Sequence, residues 1–108
     1  MRIAPMLFVG LTVAGLSVTA LAAVAVVDVT QKNRAFALPS LQIRPGQVVH
    51  FNNDDQFRHQ VYVESSSFTF ESDEQDPGTA VEITFTKAGL FEVRCHIHPK
   101  MLLKVDVQ

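Results

Sequence analysis

The sequence predicts a small all-β sandwich, and three observations carry the prediction. Short runs alternate apolar and polar residues with the period of a half-buried strand, turn signals separate them at close intervals, and residues 23–108 contain no window with a sustained helical period. In "AVEITFT" (80–86), Val81, Ile83 and Phe85 share one face and Glu82, Thr84 and Thr86 the other. "LFEVRC" (90–95) repeats the pattern, with Phe91, Val93 and Cys95 pointing one way. In "MLLKVDV" (101–107), Met101, Leu103, Val105 and Val107 form the apolar face. Earlier strands are expected at "AVAVVDV" (23–29), "SLQIR" (40–44), "QVVHF" (47–51), "HQVYVE" (59–64) and "SFTF" (67–70). The turn signals are "RPGQ" (44–47), "NNDDQ" (52–56), "SDEQDPG" (72–78) and "KAG" (87–89). Two packed antiparallel sheets are the expected result.

The first 22 residues read differently. From Ile3 to Val27 there is no charged residue, Arg2 stands just before the run, and "TALAA" (19–23) offers small residues at Ala20 and Ala22. This is the pattern of a secretory signal with cleavage near Ala22, leaving residues 23–108 as one domain in the periplasm or outside the cell. The competing reading is an uncleaved anchor, because 25 uncharged residues are long enough to span a bilayer. Against it, the end of that run already alternates and serves better as the first strand. No cysteine lies near the cleavage site, which excludes a lipid anchor there.

The composition narrows the function. Residues 23–108 hold eight basic and eleven acidic side chains, a net charge of −3, which argues against a nucleic-acid partner. They contain one cysteine, Cys95, and one methionine, Met101, and both lie within the seven residues "CHIHPKM" (95–101). Cys95 has no second cysteine to pair with, and an unpaired cysteine in an oxidising compartment is a liability or a ligand.

Face parity gathers the candidate ligands. Cys95 ends a strand with its sulfur directed inward, His98 follows in the connection, and Met101 opens the next strand on its apolar face. His59 begins "HQVYV" on the face of Val61 and Val63, where an inward imidazole needs a partner. One thiolate, two imidazoles and a thioether match a blue-copper site, with His59, Cys95 and His98 in a trigonal plane and Met101 as the long axial contact. Zinc is the rival metal and would need His96 as its fourth ligand, since a neutral thioether serves zinc poorly. His50 stands opposite Val49 and Phe51, on an exposed face, and His96 reads as a solvent-facing loop residue.

At these residues the chain resembles the cupredoxins, small blue copper proteins of the plastocyanin and amicyanin type. "CHIHPKM" is similar to their Cys-x-x-His-x-x-Met ligand loop in its short, amicyanin-like form, including the proline after the second histidine. "RPGQVVHFNNDD" resembles the family's turn and following strand, "FRHQVYV" the strand bringing the first histidine, and "DPGTAVEITFTKAGLFEVRC" the two strands leading to the cysteine. Plastocyanin-like proteins of methylamine utilisation are similar as well. The resemblance implies a Greek-key sandwich with one type 1 copper that passes single electrons between larger redox proteins. A monomer with transient partners is expected, and His98, with a ring edge among Ile97 and Pro99, is implied as the electron exit. Two features depart from the family: Gln60 and His96 stand where it has Asn and Ser or Thr in a hydrogen-bonded clamp, and Ile97 replaces a common proline.

Electron transfer is thus the expected function, with copper delivery or storage as the alternative. Delivery sites expose several methionines or histidines, whereas Met101 is single and inward. A thiol hydrolase is disfavoured, because Cys95 faces the core and neither a Gly-rich oxyanion turn nor an orienting acid follows it. The acidic run "ESDEQD" (71–76) reads as a solvated loop, with a docking patch for a basic partner as the sharper reading. Lys100 and Lys104 leave the sign of any docking surface open.

Overall fold

Nine strands form two facing sheets in the computed structural model, which describes residues 2–17 and 25–108. They are β1 (Val26–Lys32), β2 (Ala35–Phe36), β3 (Ser40–Ile43), β4 (Gln47–Asn53), β5 (Val61–Glu64), β6 (Thr69–Glu71), β7 (Ala80–Phe85), β8 (Gly89–Cys95) and β9 (Leu102–Val107). One sheet runs β2-β1-β4-β7 and the other β3-β9-β8-β5-β6. Residues 2–17 adopt neither helix nor strand, and the expected cleavage beside Ala22 lies outside the described residues. Among the described residues no helix is long and apolar enough to cross a membrane.

The alternating runs become strands with the expected faces. Phe91, Val93 and Cys95 are buried along β8, Ile83 and Phe85 along β7, and Leu103, Val105 and Val107 along β9, with Met101 buried just ahead of it. Burying one face of each sheet against the other leaves the intervening polar residues in water, which is why a period of two suffices to specify the sandwich. Phe68, Phe85 and Phe91 meet with ring centroids 5.6–5.9 Å apart and fill one end of the core.

The sheets are mixed. β1 pairs with β4, and β3 with β9, in parallel, while the remaining pairs are antiparallel. The chain changes sheets between β2 and β3, β3 and β4, β4 and β5, β6 and β7, and β7 and β8, the crossings of a Greek-key sandwich. Such a crossing brings the chain back beside an earlier strand in either direction, and alternation reports which face a residue takes, never which way the neighbour runs. The first strand starts at Val26, three residues beyond the expected start, and the two-residue β2 carries too little pattern to be seen in the sequence.

The Pro-Gly turns do what their chemistry allows. In "RPGQ" the Gln47 backbone N–H donates to the Arg44 carbonyl at 3.2 Å, and Gly46 takes a φ of +90°. Proline then glycine at the two central positions is the type II arrangement, in which the third residue needs a left-handed backbone. Asp76–Thr79 repeats it, with Gly78 at φ +83° and a 3.2 Å bond from Thr79 N–H to the Asp76 carbonyl. An added Cβ at Gly46 meets no atom within 4 Å, so backbone strain alone decides the effect of replacing it. Gly46→Ala is expected to lower stability by about 1–2 kcal/mol, read as a lower urea midpoint at unchanged slope.

Candidate metal centre

Register between β5 and β8 builds the site. Val61 sits opposite Cys95, so the two residues preceding Val61 continue past the end of β8. The Gln60 backbone N–H donates to Cys95 Sγ at 3.4 Å, and the His96 N–H donates to the Gln60 carbonyl at 2.9 Å. His59 comes next and turns inward, fully buried, held by paired backbone bonds with Gln75 (His59 N–H to the Gln75 carbonyl, 3.1 Å, and Gln75 N–H to the His59 carbonyl, 2.6 Å).

The loop from Cys95 to Met101 closes on itself. The Met101 N–H donates to the His98 carbonyl at 3.0 Å around Pro99, a turn that uses proline at its preferred second position. This keeps the loop short without a proline at position 97. Met101 is 1% exposed and faces the core beneath the loop.

The outcome is a triangle of donor atoms. His59 Nδ1 lies 3.7 Å from Cys95 Sγ and 3.1 Å from His98 Nδ1, and the Cys95 Sγ to His98 Nδ1 distance is 3.8 Å. These three side chains form the metal-ligating group found among the described residues. The point equidistant from the three atoms is about 2.1 Å from each, which is the length of a metal–imidazole bond and slightly under that of a metal–thiolate bond. The residues therefore fit a small transition-metal ion with no movement of the backbone. Burial, together with the neighbouring His59 and Arg34, pushes the His98 imidazole below the ordinary histidine range, with Asp55 opposing, so its lone pair is available at neutral pH.

His96 takes no part. Its ring stacks on Tyr62 with centroids 3.7 Å apart at 8°, and its Nε2 lies 3.4 Å from Glu71 Oε1 on the outer surface. That orientation removes the fourth ligand a zinc site needed. Gln60 does not reach His96 by its side chain either: its Nε2 donates to the Ser72 carbonyl at 2.9 Å. The position after the first histidine thus ties β5 to the 72–76 loop and leaves the far side of Cys95 to the His96–Tyr62 stack.

A polar cluster behind the site is invisible to strand patterning. Asp55 Oδ2 lies 3.0 Å from His59 Nε2. The Asn53 side chain shapes the loop carrying Asp55, accepting from the Asp55 N–H at 3.0 Å and donating to the Phe57 carbonyl at 2.9 Å and the Gln75 carbonyl at 3.0 Å. Burial pushes the Asp55 carboxyl up, but the Arg34 backbone N–H, the His59 ring and the Gln56 backbone N–H outweigh it and hold the group below its usual range. Gln75, only 2% exposed, accepts from Gln31 Nε2 at 2.9 Å and donates to the Phe51 carbonyl at 3.1 Å. The acidic run is therefore only partly a solvated loop: Ser72 and Gln75 plug into the sandwich while Arg58 pairs with Glu74 and Asp76 outside.

At the surface, Phe57 meets the His98 ring edge-on at 6.1 Å, and the Arg34 guanidinium lies 4.1 Å above Phe57. Ile97 and Pro99 flank His98 and are exposed. His50 points outward as expected, between Asp28 and Glu82 on the adjacent strands.

Comparison with known proteins gives this geometry its class. Residues 23–108 match the family model "Copper binding proteins, plastocyanin/azurin family", and the chain belongs to that family. Among solved structures it is similar to the amicyanin of Paracoccus versutus, with 27% identity, a TM-score of 0.70, and 76% of this chain and 80% of that chain covered. A reduced Cu(I) form of an amicyanin variant at pH 4 gives 25% identity and a TM-score of 0.72 over 80% of this chain and 85% of that one. Another Cu(I) amicyanin variant gives 25% identity and 0.71 over 82% and 86%. No curated protein sequence matches the chain. The fold is that of a cupredoxin, the cofactor is one type 1 copper, and the protein is not an enzyme.

Gln75→Ala leaves Gln31 Nε2 without its acceptor in a buried place and takes one donor from the Phe51 carbonyl. A loss of about 2–3 kcal/mol is expected, measured as the change in unfolding free energy by urea titration of the metal-free protein.

Proposed function

We propose that the protein is an exported one-electron carrier in which His59, Cys95 and His98 hold copper through Nδ1, Sγ and Nδ1 and Met101 approaches it weakly as the axial group. The observation that carries this reading is the convergence of the three donor atoms within 3.8 Å of one another at the buried end of β5 and β8. Copper supplies a couple between Cu(II) and Cu(I), and everything else is the work of the chain. The thiolate favours the reduced ion, the imidazoles accommodate both states, and the surrounding bonds resist rearrangement between them. His59 is held by Gln75, Cys95 accepts the Gln60 N–H, and the loop to Met101 is closed by its own turn, so the donor set changes little when an electron arrives.

His98 is the edge through which the electron leaves or enters. It is half-buried and ringed by Phe57, Ile97 and Pro99, an apolar rim suited to brief contact with a larger redox protein. The protein works as a monomer with transient partners. Residues 1–22 are a signal peptide removed near Ala22, and residues 23–108 act in the periplasm or outside the cell; the charge-free run from Ile3 to Val27 supports that reading. Copper delivery is the second reading, and it is weaker because the thioether and one imidazole are fully enclosed.

The test is a visible-absorption and EPR titration of residues 23–108 with Cu(II). An intense blue band with narrow hyperfine splitting at one equivalent supports the carrier, whereas a colourless product or oxidation of Cys95 refutes it. His59→Ala is expected to abolish the blue band. Met101→Leu is expected to keep copper and raise the reduction potential, and loss of all copper in that variant would contradict a weak axial role.

A further inference from the structure

Neither nitrogen of His59 meets solvent, since the residue is 0% exposed. Nδ1 faces Cys95 and His98, and Nε2 lies 3.0 Å from Asp55 Oδ2, whose side chain is 4% exposed. The carboxylate is itself fixed from the other side. The Arg34 backbone N–H donates to Oδ2 at 2.8 Å and the Gln56 backbone N–H to Oδ1 at 3.0 Å. Arg34 reaches that position from the tight turn between β1 and β2, where Asn33 and Arg34 both take left-handed φ values of 54° and 56°. For two residues with side chains this is an uncommon backbone, and its result is to aim one N–H at Asp55.

An ionised carboxylate accepts hydrogen bonds and donates none, so a ring nitrogen bonded to it must carry the proton. With the proton on Nε2, Nδ1 keeps its lone pair toward Cys95 and His98. The donors on Asp55 from Arg34 and Gln56 are neutral backbone groups, and the Arg34 guanidinium lies out over Phe57. Apart from the His59 ring, no side chain among the described residues is bonded to the carboxylate, and its negative charge stands beside the ring that faces the metal position.

We propose that Asp55 is the positioning residue of the copper centre: it holds His59 in the Nε2–H tautomer and, through its charge, favours the oxidised over the reduced metal. The proposal rests on the reading of His59 as a copper ligand. A fixed negative charge stabilises the more positive of two metal states, and partners behind a ligating histidine change metal affinity about 10- to 100-fold. Replacing the charge by a neutral amide should weaken the preference for Cu(II) about tenfold, which for a one-electron couple is a rise of about 59 mV.

Two measurements test it. In the metal-free wild type at pH 8, long-range proton–nitrogen NMR of the imidazoles is expected to show His59 as the Nε2–H tautomer; an Nδ1–H tautomer would overturn the proposal without any variant having to fold. In the copper-loaded protein, Asp55→Asn is expected to keep its blue band and raise the potential by about that amount, while Asp55→Glu restores it toward the wild-type value. An unchanged potential in Asp55→Asn would assign Asp55 a purely structural role and sink the idea. The ligand reading fails separately: a blue band surviving in His59→Ala removes His59 from the copper and leaves the metal-free tautomer result intact.

Discussion

A histidine with no access to water must satisfy both of its ring nitrogens inside the protein, and at His59 that requirement organises the whole end of the sandwich. Nε2 is served by Asp55, which in turn needs the Arg34 and Gln56 backbone N–H groups and the loop shape that Asn53 imposes. The backbone of His59 is served by Gln75, whose amide reaches on to Gln31 and Phe51 in the opposite sheet. Only Nδ1 is left, and it faces a thiol and a second imidazole. The polar bonds thus run through the two sheets and end at one unshared lone pair.

The hydrophobic core sets the distances that this network exploits. Val61, Val63, Val93, Leu103 and Val105 are each 2% exposed or less, and their packing fixes β5, β8 and β9 side by side. Cys95 and Met101 are the last inward positions of β8 and the first beside β9, so they inherit a geometry decided by apolar burial. A mixed arrangement results, in which Cys95 comes from a strand end and His59, His98 and Met101 from the connections. Because the interior is close-packed, a change in charge at the site meets side chains that have little room to move. That stiffness is the physical link between a small sandwich and a one-electron task.

The surface above the site is divided by chemistry. Around His98 it is apolar, with Phe57, Ile97 and Pro99, and Arg34 laid over Phe57 adds one positive charge at its border. On the other side of Cys95, the stacked His96 and Tyr62 sit among Glu71 and Glu64, and Arg58 draws in Glu74 and Asp76. The acidic run therefore spends part of its charge in ion pairs within the chain, while the rim around His98 stays apolar.

Much of this was legible in the sequence, and the reason is periodicity. Alternation over 80–86, 90–95 and 101–107 assigns a face to every residue, and because Cys95 and Met101 lie on those runs their inward direction follows from parity alone. His59 follows in the same way from Val61 and Val63, and the Cys-x-x-His-x-x-Met spacing brings in His98. What parity cannot report is direction of pairing or anything held by a loop. The parallel β1–β4 and β3–β9 pairs depend on where crossing connections return. Asp55, Asn53 and Gln75 lie in segments read as turns, where no period constrains a side chain. The sequence by itself determined the longer strands, their buried faces and the spacing that gathers His59, Cys95 and His98, because those follow from local alternation and spacing. Only the tertiary structure decided which carboxylate stands behind His59, because hydrogen bonds between distant loops are set by where the packed sheets leave their ends.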